Sequence, residues 1–131
     1  MLLLFACGES PIIEQIKETY PDNQPKVVEY VKGVDGVLEV VEQKTYYPNG
    51  QLKLAGKFNK GKRNGAWKAY FENGQTQSEG EFKNGVRTGI AKVYFPNGQI
   101  RYEGQYENDK EVGNWKFYNE KGKLVKEKDF N

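Results

Sequence analysis

A chain of 131 residues with 20 Lys+Arg and 18 Asp+Glu, net charge +2, is long enough for one modest domain and carries no strong overall charge. Hydrophobic residues make up only 37 %, yet aromatics reach 14 % and glycines number 15, which suits rings buried in thin β structure better than aliphatics in a thick core. With no histidine and one cysteine, the sequence excludes Ser-His and Cys-His nucleophile systems, His-ligated or Cys-cluster metals and an intrachain disulfide; no stretch is long enough for a transmembrane helix.

The chain opens on Met1-Leu2-Leu3-Leu4-Phe5-Ala6-Cys7-Gly8, an apolar run closing on small residues. Signal peptides end this way, although the basic n-region is missing and the apolar segment is short. Leu4-Phe5-Ala6-Cys7 resembles a bacterial lipobox, with Phe5 an unusual occupant. On that reading residues 1–7 are a truncated signal peptide, the true start lies upstream, Cys7 is lipidated, and residues 8–13 tether the protein to a membrane. Each buried methylene of the acyl chains contributes roughly 0.8 kcal/mol. The other reading is an apolar tail with a buried thiol.

Residues 14–45 read as an eroded unit of the repeat that follows. Tyr20-Pro21-Asp22-Asn23-Gln24 parallels Tyr47-Pro48-Asn49-Gly50-Gln51, and Asn23 stands where Gly50 stands. Asparagine is the next-best residue for a left-handed backbone. Asp35-Gly36 is itself a hairpin signal. A strand around Ile16-Lys17 competes with a helix started by Ser10-Pro11, with Ile12, Ile16 and Tyr20 on one face.

From residue 46 the repeat is explicit. Tyr46-Tyr47-Pro48-Asn49-Gly50-Gln51 recurs as Tyr70-Phe71-Glu72-Asn73-Gly74-Gln75 and Tyr94-Phe95-Pro96-Asn97-Gly98-Gln99, and loosely as Tyr118-Asn119-Glu120-Lys121-Gly122-Lys123, each 24 residues on. Gly56, Gly80 and Gly104 keep the same step, as do Phe58, Phe82, Tyr106 and Phe130, and Gly65, Gly89 and Gly113. Trp67 and Trp115 stand two steps apart with Ala91 between them. The units are 46–69, 70–93 and 94–117, with a partial cap at 118–131. Asn-Gly predicts tight type I′ turns at residues 49–50, 73–74 and 97–98. The stretches Asn59–Gly65 and Lys83–Gly89 predict longer, glycine-rich turns.

Period-two alternation puts Leu52, Leu54, Gly56 and Phe58 on one face, and likewise Ile100, Tyr102, Gly104 and Tyr106. Trp67, Ala69 and Phe71 oppose Lys68, Tyr70 and Glu72. The sheet therefore has one aromatic face. Glycine inside a strand weakens it, so Gly56, Gly80 and Gly104 are expected to leave room for rings lying flat on the backbone.

These recurring residues (Tyr-Tyr/Phe-x-Asn-Gly-Gln, then Gly-x-Phe, then Gly-x-Trp-Lys) resemble MORN repeats, in the variant of bacterial YwqK-type antitoxins. The likeness covers 46–131 well and 14–45 weakly. It implies an all-β, elongated, single-layer antiparallel β-meander built from hairpin repeats. It also implies binding to other proteins, sometimes lipid association, and no catalysis. Ala91 departs from the pattern where Trp is expected, and Lys128 where Gly is expected. Lys126 and Lys128 suit a polar end cap that discourages edge pairing.

The opposite face repeats Lys-x-Tyr: Lys44 and Tyr46, Lys68 and Tyr70, Lys92 and Tyr94, Lys116 and Tyr118. This row is the candidate binding face, since tyrosines are common in interfaces. Its bland alternative is lysine stems covering rings on a solvated face. Residues 1–45 hold 4 Lys+Arg against 8 Asp+Glu, net −4, and residues 46–131 hold 16 against 10, net +6. Basic side chains alternate with Glu79, Glu81, Glu103, Glu107 and Glu111, and no dense arginine cluster or RNA-binding signature is present, which weighs against nucleic acid. The expectation is a non-enzymatic protein with no cofactor and no small-molecule substrate. It binds a protein partner from the bacterial cell envelope, where lipidated Cys7 holds it at the membrane. The alternatives are a cytoplasmic antitoxin that binds a toxin, and a structural envelope scaffold.

Overall fold

A computed structural model describes residues 8–131. Ten strands follow one another: β1 (Ile12–Thr19), β2 (Pro25–Val34), β3 (Val37–Tyr46), β4 (Leu52–Asn59), β5 (Lys62–Tyr70), β6 (Thr76–Lys83), β7 (Val86–Tyr94), β8 (Ile100–Glu107), β9 (Lys110–Tyr118) and β10 (Leu124–Phe130). They form one sheet whose strand order is the chain order. Each strand pairs antiparallel with its chain neighbours. This is the expected all-β meander. Residues 12–19 are strand, not helix. Ile12 and Ile13, expected within a tether over 8–13, pair with Lys32 and Val31 and belong to β1.

The two kinds of turn exchange the roles expected of them. At Tyr47–Gly50 the amide of Gly50 donates to the Tyr47 carbonyl at 2.9 Å, and only Gly50 is left-handed, at φ 84°. Pro48 presets the first central position of an ordinary type I turn, and Gly50 follows in the left-handed region. Asparagine serves here as an acceptor: Asn49 Oδ1 takes the amide of Gln51 at 3.0 Å, and Asn73 and Asn97 repeat the contact with Gln75 and Gln99. The type I′ turns sit instead in the stretches expected to be long. Lys60 and Gly61 have φ 48° and 78°, and Asn84 and Gly85 have 49° and 84°. Asp35-Gly36 forms such a turn too, as its sequence indicates.

The slack in Asn59–Gly65 is taken up by a bulge. Gly56 faces Trp67 and Phe58 faces Arg63, so β5 advances four residues while β4 advances two. Gly65, within the bulge, has φ 94°. A second irregularity flanks each Asn-Gly turn and the matching Lys121-Gly122 turn, and pairs Leu52, Thr76, Ile100 and Leu124 with Tyr46, Tyr70, Tyr94 and Tyr118. The alternation expected from Leu52 to Phe58 therefore breaks at its first residue.

A single layer can bury little. Among the described residues only Val28, Val31, Trp67 and Trp115 are buried apolar side chains. The chain exposes 9390 Å², against roughly 7,000 Å² for a compact monomer of this mass. The aromatic face falls into two clusters. Trp67 meets Phe58 edge-on at 5.2 Å and Phe82 at 6.5 Å. Trp115 meets Tyr106 at 5.2 Å, Phe130 at 6.1 Å and Tyr102 at 6.2 Å. Under each indole lies a glycine: a Cβ at Gly56 would fall inside the Trp67 ring, and one at Gly104 inside Trp115. Gly80 differs. Nothing lies within 4 Å of a Cβ built there, because Ala91 stands where the covering indole would be. The expectation that Gly80 accommodates a ring of this chain is corrected on that ground.

Candidate functional site

Antiparallel register lays the second face of the sheet out as a cross-strand row. Reading across the strands, Lys44 faces Ala55, Ala55 faces Lys68, Lys68 faces Glu79, and Glu79 faces Lys92. Lys92 then faces Glu103, Glu103 faces Lys116, and Lys116 faces Glu127. Directly opposed residues share a face, so the row alternates in sign from Lys68 to Glu127. The sequence held the signal for it: Glu79, Glu103 and Glu127 recur at the same 24-residue step as the lysines. Extending the repeat comparison from aromatic to acidic positions finds it.

The tyrosines flank this row, and the acids engage two of them. Tyr94 donates to Glu79 at 2.7 Å and Tyr118 to Glu103 at 3.0 Å. Burial and the bond to Glu79 push the Tyr94 phenol up to about 12. The same bond, with Lys68 at 3.5 Å, holds the Glu79 carboxyl below its ordinary range. The hydrogen bond to Glu103, with some desolvation, raises Tyr118. Burial pulls Lys44 down, but the phenol of Tyr30 and the carboxylate of Glu42 outweigh it and raise the amine overall. Its ammonium sits 4.9 Å from the Tyr30 ring centre and 3.6 Å from Glu42. Burial also raises Tyr46, whose carbonyl accepts the hydroxyl of Tyr20 at 2.8 Å. The carbonyl of Tyr70 accepts Tyr47 at 2.7 Å.

Lys44, Tyr46, Lys68, Tyr70, Lys92, Tyr94, Lys116 and Tyr118 are thus brought into one band. Lys44, Lys68, Tyr94 and Tyr118 find acidic partners within the sheet, and the band presents half-buried rings and lysine side chains outward. No group of three His, Cys, Asp or Glu side chains converges for a metal among the described residues. Cys7 lies outside the described residues.

The tight stitching between turns completes the repeat geometry. Asn49 Nδ2 reaches the Glu72 carbonyl at 3.0 Å, and Asn97 Nδ2 reaches that of Glu120 at 2.8 Å, each spanning one unit. A profile of the MORN repeat variant matches residues 39–60, 63–84, 87–108 and 111–131, more than half of the chain. The chain belongs to this family. The first three MORN matches each span one hairpin around an Asn-Gly turn and end at a left-handed two-residue turn, and the fourth spans the β9–β10 hairpin around Lys121-Gly122. The units 46–69, 70–93 and 94–117 cut the same period at another phase. The β1–β2 hairpin lies outside the matches, yet Tyr20 repeats the MORN stitch that Tyr47 makes one unit later. No curated protein matches the chain.

Proposed function

We propose that this MORN array is a non-catalytic binding module that presents its Lys-Tyr face to a protein partner, held at the bacterial cell envelope by a lipid on Cys7. The observation that carries the reading is the thinness of the sheet. Only four apolar side chains are buried among the described residues. Most of the chain's area is therefore spent on two broad faces rather than on a core, which favours a surface that meets something else. The Lys-Tyr band supplies rigid aromatic area at low entropy cost, and its alternating charges fix register with a complementary face. The lipid anchor rests on Leu4-Phe5-Ala6-Cys7 alone.

Two measurements test the proposal. Metabolic acyl labelling is expected to mark the wild type and not Cys7→Ser; absence of label in both removes the anchor. Affinity capture is expected to recover a partner with the wild type and lose it with Tyr70→Ala/Tyr94→Ala and with Lys68→Glu/Lys92→Glu, while circular dichroism stays β. Capture unchanged by both variants would make the face a solvated surface. A toxin among the recovered partners would make the module an antitoxin.

A further inference from the structure

The aromatic face, opposite the band just discussed, has a vacancy in its middle unit. We propose that the notch over Gly80 and Ala91 is a seat for one planar aromatic side chain from an acidic segment of a protein partner.

The repeat itself defines the shape of the occupant. In the unit before, the Trp67 indole lies on Gly56; in the unit after, the Trp115 indole lies on Gly104. Gly80 pairs with Trp67 across β5; towards β7 the ladder slips just after Glu79 and Lys92, beside Ala91, as it slips between β8 and β9 just after Glu103 and Lys116, where Trp115 lies on Gly104. So the middle unit keeps the bare glycine floor but carries a methyl group where its neighbours carry an indole. Gly80 has no left-handed backbone, and nothing lies within 4 Å of its missing Cβ. No ring of this chain uses the floor.

The resulting notch is open and measures about 290 Å³. That is at the bottom of the range for small-molecule pockets and suits a single side chain. Trp67 and Trp115 close its two ends across the strands, with Phe82 and Tyr106 at its side. All four offer ring edges or faces to an entering ring. Two guanidiniums border it: Arg63 stacks 4.1 Å from the Trp67 ring centre and Arg87 4.3 Å from that of Tyr106. Arg87 is paired with Asp109 at 3.2 Å, whereas Arg63 has no ion-pair partner among the described residues. Glu79, Glu81 and Lys92 also line the notch; Glu79 is answered by Lys68 and Tyr94, and the remaining charge, Arg63 and Lys92 against Glu81, is positive, which selects a ring whose neighbours in sequence are acidic.

The test titrates the full chain with a synthetic peptide of one tryptophan flanked by two glutamates on each side, followed by backbone amide NMR. Shifts are expected at Gly80, Ala91 and their strand neighbours, saturating in the millimolar range. They should be lost with the same peptide bearing alanine for tryptophan, and weakened when lysine replaces glutamate. Ala91→Trp places the chain's own indole on Gly80. It is expected to raise the melting temperature by a few degrees and to weaken the peptide about tenfold or more. No shifts at Gly80 and Ala91 up to 10 mM peptide, or full peptide binding by Ala91→Trp, would overturn the seat. A concentration-dependent dimer that Ala91→Trp abolishes would overturn the partner and make a second copy the occupant. Tyr70→Ala/Tyr94→Ala acts on the other face and should leave the titration unchanged, so loss of that band's function and loss of this seat are separable.

Discussion

Two indoles resting on two glycines set the energetics at the level of single residues. Gly56→Ala or Gly104→Ala drives a methyl into a buried tryptophan ring, and is expected to cost about 1–3 kcal/mol as the ring is displaced. Gly80→Ala meets open space and should shift the thermal midpoint little in either direction. Equal losses at all three positions would refute this account. Three glycines at one spacing look equivalent in sequence, and only the neighbour in space, Trp or Ala91, separates them. Titration of Tyr94 gives a second check. Its phenol ionises at about 12 in the folded chain and at an ordinary 10.0 when unfolded. A raised phenol stabilises the fold fully below pH 10 and loses that contribution as pH climbs through about 12. Glu79 is lowered, so its contribution is present above the ordinary carboxylate range and fades as pH falls through its folded value. Urea midpoints at pH 8 and pH 11.5 should therefore fall less in Tyr94→Phe than in the wild type. The same variant should also lose part of the acid-side dependence, since Glu79 no longer accepts the hydroxyl.

Among the elements, the hairpins divide into two classes by the demands they make on the backbone. Asp35, Asn84 and Asn108 hold the first left-handed position of their two-residue turns, at φ 49°, 49° and 50°, and Lys60 holds the equivalent one at 48°. Lysine has no local hydrogen bond to recompense that conformation. Lys60→Asn is expected to stabilise by about 0.5–1 kcal/mol in chemical denaturation; a destabilised variant would mean that the lysine stem is doing packing that the asparagine cannot. Meander order and the aromatic face were legible from the 24-residue period over residues 46–131, because each strand pairs only with its chain neighbours. Turn type was not. Asn-Gly satisfies two geometries, and the choice depends on whether Asn49 spends its side chain on the Gln51 amide or its backbone on positive φ. The Glu79–Lys92 row was missed for a related reason: charged positions read as solvent-facing filler until register sets them opposite one another.

At the scale of the whole molecule, stability is distributed along a line rather than concentrated in a centre. Val28 and Val31 anchor the N-terminal strands, Trp67 the middle and Trp115 the far end. Val28→Ala is expected to cost about 1–2 kcal/mol, and the loss should be local. Amide exchange should quicken in β1–β3 while β8 and β9 keep their protection; uniform quickening across the sheet would show one cooperative unit instead. The uncrossed strand order has a further consequence for descent. A duplicated or deleted 24-residue segment, cut at any two-residue turn, meets the same kind of strand on either side and needs no rerouting of the chain. Length can therefore drift like the rungs of a ladder, and the single alanine at position 91 marks how one rung can change its purpose without disturbing the rest.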